Sequence, residues 1–258
     1  MRLKIFIFSF LFLKSLLFGE LNFVQKAMVM STLWQATSAE YYALSQQAYS
    51  LAKLRLDENL KLSLAQKRAV VVDVDETVLD NTPFEIKIIL EDAKYPDDFD
   101  EWVNSAQCKK IPGALNFLNY ASQNGCEIFY VSNRRLRHLD GTLKNLLKWN
   151  FPNADAEHIL LKDNTSNKEV RFNEIAKSYH IVMLIGDNLA DFSNAFRKKN
   201  IAERFAIADS LKDEFGKRFI VLPNPIYGEW EKTVYGGTRR IPLGEKEEKM
   251  MKILKGEM

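Results

Sequence analysis

Three acids crowd into four positions at the end of an apolar run, Val71-Val72-Asp73-Val74-Asp75-Glu76-Thr77. A second run, Ile185-Gly186-Asp187-Asn188-Leu189-Ala190-Asp191, is again followed by two carboxylates. A third, Tyr130-Val131-Ser132-Asn133-Arg134, ends on a hydroxyl and backbone N–H groups. Lys168 opens a helix-like stretch after a loop rich in Asn, Thr and Ser. An Asp-x-Asp pair after one strand is by itself more often a solvated turn than a site. Convergence of carboxylates, a hydroxyl and a lysine changes that reading. Unpaired, the acids would repel one another, so a hard cation is the natural counter-charge. Mg²⁺ suits a site built from a few carboxylates, waters and a substrate phosphate.

The elements that must bring these residues together are short and apolar. Ala69 to Val72, Ile128 to Val131, Ile159 to Leu161, Ile181 to Ile185 and Phe205 to Ile207 read as strands, with Phe219 to Leu222 a sixth candidate. Helix-like stretches lie near Ala114 to Ser122, Leu139 to Trp149, Lys168 to Tyr179 and Leu189 to Lys199. Such alternation predicts an α/β fold, a Rossmann-like parallel sheet with helices on both faces. Ligands of such sheets bind beyond the carboxyl ends of the strands, where all three polar motifs fall. Before the sheet, residues 21–62 contain no Pro and no Gly, and apolar residues recur at three- and four-residue spacing. That predicts a helical arm, a long helix or a helix pair, whose apolar face packs on its own domain or on a second subunit. The expected division is a signal peptide over 1–19, the arm over 20–65, the sheet domain over 66–243 and a charged tail over 244–258, itself a surface helix.

Of the 258 residues, 47% are apolar and 27% charged, the balance of a globular chain with a sizeable core. Arg2 and Lys4 followed by the apolar run Ile5 to Leu13 have the anatomy of a secretory signal, with Gly19 the best cleavage position. Lys14 interrupts the run well short of the about 20 apolar residues a membrane span needs. An uncleaved anchor is the alternative, and either places the domain outside the cytoplasm. The 36 basic residues include Arg2, Lys4 and Lys14; without these three, 33 face 34 acidic ones. No basic field remains to hold a nucleic acid polymer. Cys108 and Cys126 could pair in an oxidising compartment, although two such thiols are more often simply buried. His138, His158 and His180 lack metal-ligand spacing, which argues against zinc.

DVDETVLDN, VSNR, Lys168 and GDNLADF resemble the four motifs of the haloacid dehalogenase superfamily of phosphotransferases. The likeness is closer to the lipoprotein-e-type 5′-nucleotidases, or class C acid phosphatases, of bacterial envelopes. EYYALSQQAYSLAK in the arm, KEVRFNEI and LPNPIYGEWE are similar to that family too, so the resemblance covers about residues 22–235. It implies Asp73 as a nucleophile that forms an aspartyl-phosphate, and Asp75 as general acid and then base. It implies metal ligation by Asp73, Asp187 and the backbone carbonyl of Asp75, with Asp191 nearby as a metal ligand through water or as an orienter. Ser132, Asn133 and Lys168 would hold the phosphoryl oxygens, where transition-state charge accumulates. Glu76, Asp80 and Arg134 are expected to be structural, and Arg171 either to pair with an acid or to join the site.

The intervals between motifs leave no room for a large cap domain, so an open site is expected. The resemblance points to Phe99, placed in a loop before Trp102, and to Tyr227 as platforms for a nucleoside base. The expected activity is Mg²⁺-dependent hydrolysis of nucleoside 5′-monophosphates or nicotinamide mononucleotide in the periplasm or cell envelope. A broad acid phosphatase without nucleotide preference is one alternative; an envelope binding protein, for haem for example, with a vestigial site is another. The family's lipid-anchored cysteine has no counterpart before Cys108, so an acylated anchor is not expected. Small phosphomonoesters are the expected partners, with a homodimer through the arm as a further option.

Overall fold

The computed structural model describes residues 21–91 and 97–257; the signal segment expected over 1–19 lies outside them. The arm is a helix pair, α1 (Phe23–Thr37) and α2 (Ala39–Leu60). Asn22 and Gln25 form a reciprocal cap at the start of α1, with N–H to side-chain distances of 2.9 and 3.0 Å. Ser38 splits the pair: its extended backbone ends α1, and its hydroxyl accepts from the Tyr41 N–H at 3.1 Å to start α2.

Fifteen described residues or fewer separate each later element from the next. In order they are β1 (Lys67–Val72), β2 (Leu79–Asp80), α3 (Thr82–Glu91), α4 (Asp97–Ser105), β3 (Lys109–Lys110), α5 (Ala114–Gln123), β4 (Glu127–Arg135), α6 (Leu139–Lys148) and β5 (Ile159–Lys162). Then follow α7 (Glu169–Ala176), β6 (Tyr179–Gly186), α8 (Ile201–Ser210), β7 (Phe219–Val221), α9 (Glu229–Val234) and α10 (Leu243–Leu254). Five strands form one parallel sheet in the order β5-β4-β1-β6-β7. β2 and β3 form a small antiparallel ribbon beside α3 and α4 between the first two motifs.

Alternate residues of the central strands serve opposite faces. Val70, Val72, Ile128, Tyr130 and Ile185 cluster with Tyr49, Ala52 and Leu56 of α2 and with Phe117 and Leu118 of α5. Ala69, Val71, Phe129, Val131 and Leu184 cluster with Phe172 and Ile175 of α7 and with Phe192. Hence the arm supplies one wall of the core. Val72 pairs with Tyr130 on one side and Ile185 on the other, so β1 and β6 finish nearly flush while β4 runs on to Arg135. Asp73 and Asp187 therefore leave the sheet side by side, and Ser132, two residues past Tyr130 on β4, stands at the same rim.

Three expectations need correction. Phe205 to Ile207 is not a strand but the middle of α8, with Phe205 74% exposed. Asn200 and Glu203 cap that helix reciprocally at 2.8 and 2.9 Å, and three apolar residues were too short a run to override the cap. Phe219 to Val221 fills the strand position instead, at the sheet edge. Leu189 to Lys199 is not an α-helix but two 3₁₀ turns, Leu189–Asp191 and Asn194–Phe196, because Asn188 and Ser193 side chains capture the N–H groups two residues on. The helix after Lys168 stops at Ala176, and Tyr179 already belongs to β6. Cys108 and Cys126 are both free and buried. No helix among the described residues is long and apolar enough to cross a membrane.

Leu56 is fully buried between α2 and the sheet. Leu56→Ala is expected to destabilise the fold by about 2–5 kcal/mol in urea titration, with arm and sheet lost in one transition. A separate early transition of the arm, leaving the sheet folded, would contradict that packing.

Candidate active site

Asp73 takes up the rim position after β1, where its N–H donates to the Ile185 carbonyl at 2.9 Å. Its carboxylate pairs with the buried Lys168 ammonium, which also lies 2.8 Å from Asp191. One cation is thus shared by two acids. Asp187 stands beside them, accepting from Thr77 Oγ1 at 3.2 Å and Asn224 Nδ2 at 2.8 Å. Carboxylate oxygens of Asp73, Asp187 and Asp191 all lie within 4.8 Å of one another. The 3₁₀ turn aims Asp191 back at the rim, its Oδ2 accepting from the Asn188 N–H at 3.0 Å. Gly186 makes room for it: a Cβ there would come within 2.7 Å of the Asp191 Cβ.

Electrostatics show that this cluster is short of positive charge. Burial pushes Asp73 up to about 7, against the pull of Lys168, and Asp191 and Asp75 add to the rise. Asp187 is raised well above the carboxylate range by burial, then by Asp191 and Asp73. Burial also works against the charge on Lys168, but Asp191 and Asp73 outweigh it and hold the ammonium protonated. Three acids around one lysine are a donor set that fits a hard divalent cation.

Asp75 faces a different environment. Arg134, whose side chain is 1% exposed, grips it with Nε at 3.0 Å and Nη2 at 2.8 Å from Oδ1. Asn81 Nδ2 donates to the same oxygen at 2.7 Å, and Ser132 Oγ to Oδ2 at 3.3 Å. Burial would raise Asp75, but Arg134 and Asn81 hold it below the usual range. Arg134, read from sequence as structural, therefore touches the carboxylate expected to carry the proton. Its place in the VSNR motif, two residues after Ser132, was the available signal.

Asn133 Oδ1 accepts from Arg171 at 2.8 Å, and Arg171 also binds the Ser132 carbonyl at 2.5 Å, so Arg171 braces that loop and, among the described residues, makes no ion pair with an acid. Phe99 is not in a loop but in α4, edge-on to Phe84 at 5.2 Å and to His138 at 5.8 Å, with Arg134 at 6.0 Å over its ring. The Tyr227 hydroxyl donates to Glu76 Oε1 at 3.1 Å. Glu76 is fully buried, with φ +57°. Burial pushes its pKa well up, and Asp80, Asp187, Glu85 and Asp75 add to this.

For the general acid expected at Asp75, only the protonated form can donate, so activity is expected to fall as pH rises through its pKa. Removing Arg134 raises that pKa, so in Arg134→Gln the alkaline limb of the pH–kcat profile is expected to move to higher pH. A limb that stays put or moves down contradicts the pairing. The same change is expected to cost about 3–5 kcal/mol of stability.

A sequence profile of the haloacid dehalogenase superfamily, subfamily IIIB (acid phosphatase), matches residues 20–230. The class C acid phosphatase of Bacillus anthracis is 37% identical and superimposes with a TM-score of 0.85, covering 88% of this chain and 96% of that one. The same enzyme with tungstate bound gives 37% identity and 0.85 again, over 89% and 96%. Among curated relatives, the stem 28 kDa glycoprotein of Glycine max is 28% identical over 71% of this chain and 66% of its own length. Acid phosphatase 1 of Solanum lycopersicum is 26% identical over 61% and 57%. The chain spans two thirds or less of the length of those two plant proteins. It belongs to the subfamily IIIB acid phosphatases of the haloacid dehalogenase superfamily, with their α/β fold.

Proposed function

We propose that the chain is a Mg²⁺-dependent phosphomonoesterase that hydrolyses nucleoside 5′-monophosphates, or nicotinamide mononucleotide, through an aspartyl-phosphate on Asp73. The observation that carries this reading is the cluster of Asp73, Asp187 and Asp191 around Lys168 at the carboxyl ends of β1 and β6. Asp73, Asp187 and Asp191, with the Asp75 carbonyl, would hold the ion. When bound it neutralises charge between a phosphate and the carboxylates, letting the two approach.

The chain's own groups then divide the work. An Asp73 oxygen forms the new bond to phosphorus while the bond to the ester oxygen breaks. Asp75 gives that leaving oxygen its proton, and later takes one from the water that attacks phosphorus and frees Asp73. Lys168 and Ser132, with Asn133 beside them, hold the phosphoryl oxygens as their charge grows. The tungstate held by the Bacillus anthracis enzyme is a tetrahedral oxyanion like phosphate, which supports an oxyanion site in this family member. The basic, then apolar sequence at 1–19, with the anatomy of a secretory signal, supports work in the envelope, where the hydrolysis would salvage nutrients.

Phosphate release from adenosine 5′-monophosphate, by the chain without residues 1–19, tests the chemistry. Release is expected with Mg²⁺, none with excess chelator, and none from Asp73→Asn. A folded protein inactive on several phosphomonoesters under every condition would sink the enzyme reading and favour a binding protein. Base stacking has its own test. Phe99→Ala is expected to raise KM for adenosine 5′-monophosphate about tenfold while leaving p-nitrophenyl phosphate within about twofold. Equal effects on both would point to a phosphatase without nucleotide preference.

A further inference from the structure

The arm reaches the catalytic loop itself. Gln35, 5% exposed on α1, turns its Nε2 onto Glu76 Oε2 and, at 3.1 Å, onto Thr82 Oγ1. The other Glu76 oxygen accepts from the Asn81 N–H at 3.1 Å and from the Tyr227 hydroxyl at 3.1 Å. Asn81 then spends its side-chain amide on Asp75 Oδ1 at 2.7 Å, while its Oδ1 is fixed by Trp102 Nε1 at 2.9 Å. From α1 to the acid the chain of contacts is unbroken: Gln35, Glu76, Asn81, Asp75.

We propose that Gln35 is a positioning residue for the general acid, acting through Glu76 and Asn81 to aim the Asp75 carboxyl at the leaving oxygen. This rests on the phosphatase reading above. Two features separate the role from ordinary packing. Glu76 follows Asp75 directly and holds a left-handed backbone, φ +57°, so its anchorage fixes the peptide that carries the acid. Its carboxyl also takes the N–H of the residue whose side chain binds Asp75, so a shift of Glu76 disturbs Asp75 by two routes. Arg134 pulls on Asp75 Oδ1 from the β4 side. With the Asn81 support loosened, the carboxyl turns toward the guanidinium and away from the ester oxygen. Gln35 touches neither substrate nor reacting atoms, and the nucleophile's contacts with Lys168 do not pass through it.

General acid help matters in proportion to how poor the leaving group is. The test is therefore kcat/KM across a series of substituted phenyl phosphates, which report leaving-group departure and carry no base to stack. Gln35→Met keeps the side chain's length and removes both hydrogen bonds. It is expected to stay within about twofold of the unaltered chain on p-nitrophenyl phosphate and to fall about tenfold on unsubstituted phenyl phosphate, a steeper dependence on leaving-group pKa. Glu76→Gln, close to isosteric, should steepen the series likewise, and carries the test if Gln35→Met does not fold by circular dichroism. A uniform loss across the series, or an unchanged slope in a folded variant, overturns the positioning role alone. An unaltered chain that turns over none of the series overturns the phosphatase reading, and this inference with it.

Discussion

A single buried ammonium organises the rim. Lys168 enters from the loop before α7 and lies against Asp73 from β1 and Asp191 from the turn after β6. Three segments that are far apart in sequence are thereby bound by charge at one point. The lysine tolerates burial because two acids surround it, and the acids tolerate each other because the lysine is there. Yet the neutralisation is incomplete, since among the described residues Asp187 pairs with no ammonium and relies on Thr77 and Asn224. That surplus of negative charge is what a divalent cation relieves.

Two residues apart, the acids of the first motif meet opposite surroundings. Asp73 is pushed up by burial and by neighbouring carboxylates, whereas Asp75 is drawn down by Arg134 and Asn81. The backbone makes this possible: the chain leaves β1 after Val72 and bends at the fully buried Val74, so two acids that an extended strand would set on one face meet different neighbours. Divergent surroundings for paired carboxylates are how one site assigns different tasks to the same functional group.

Much of this was legible in the residues. β1, β4 and β6 are continuous apolar runs ended by polar motifs, a pattern that needs no tertiary information to read as buried parallel strands. The family likeness supplied the roles. What failed was local and physical: Phe205 to Ile207 has β-type composition, but the Asn200 and Glu203 cap decides its conformation, and Asn188 and Ser193 break the next stretch into turns. The Arg134 grip on Asp75 joins residues 59 positions apart, and Gln35 meets Glu76 across 41. Spacing along the chain carries no signal for such pairs; only the folded register brings them within reach.

The arm's position has a consequence for how the molecule is made. Arg55 Nε on α2 binds the Gly216 carbonyl at 2.7 Å across 161 positions, and Leu56 shares its cluster with Ile220 and Leu222. The arm helices, made before the sheet, thus find part of their resting place only once β7 exists. Until then an apolar helix pair must be carried by an unfinished chain, exposed to wrong partners. Contacts this distant slow folding and lengthen that interval. Vectorial emergence, whether from a ribosome or through a translocation pore, therefore delivers this protein in an order poorly matched to its architecture, and completion of the core is a late, nearly all-or-none event.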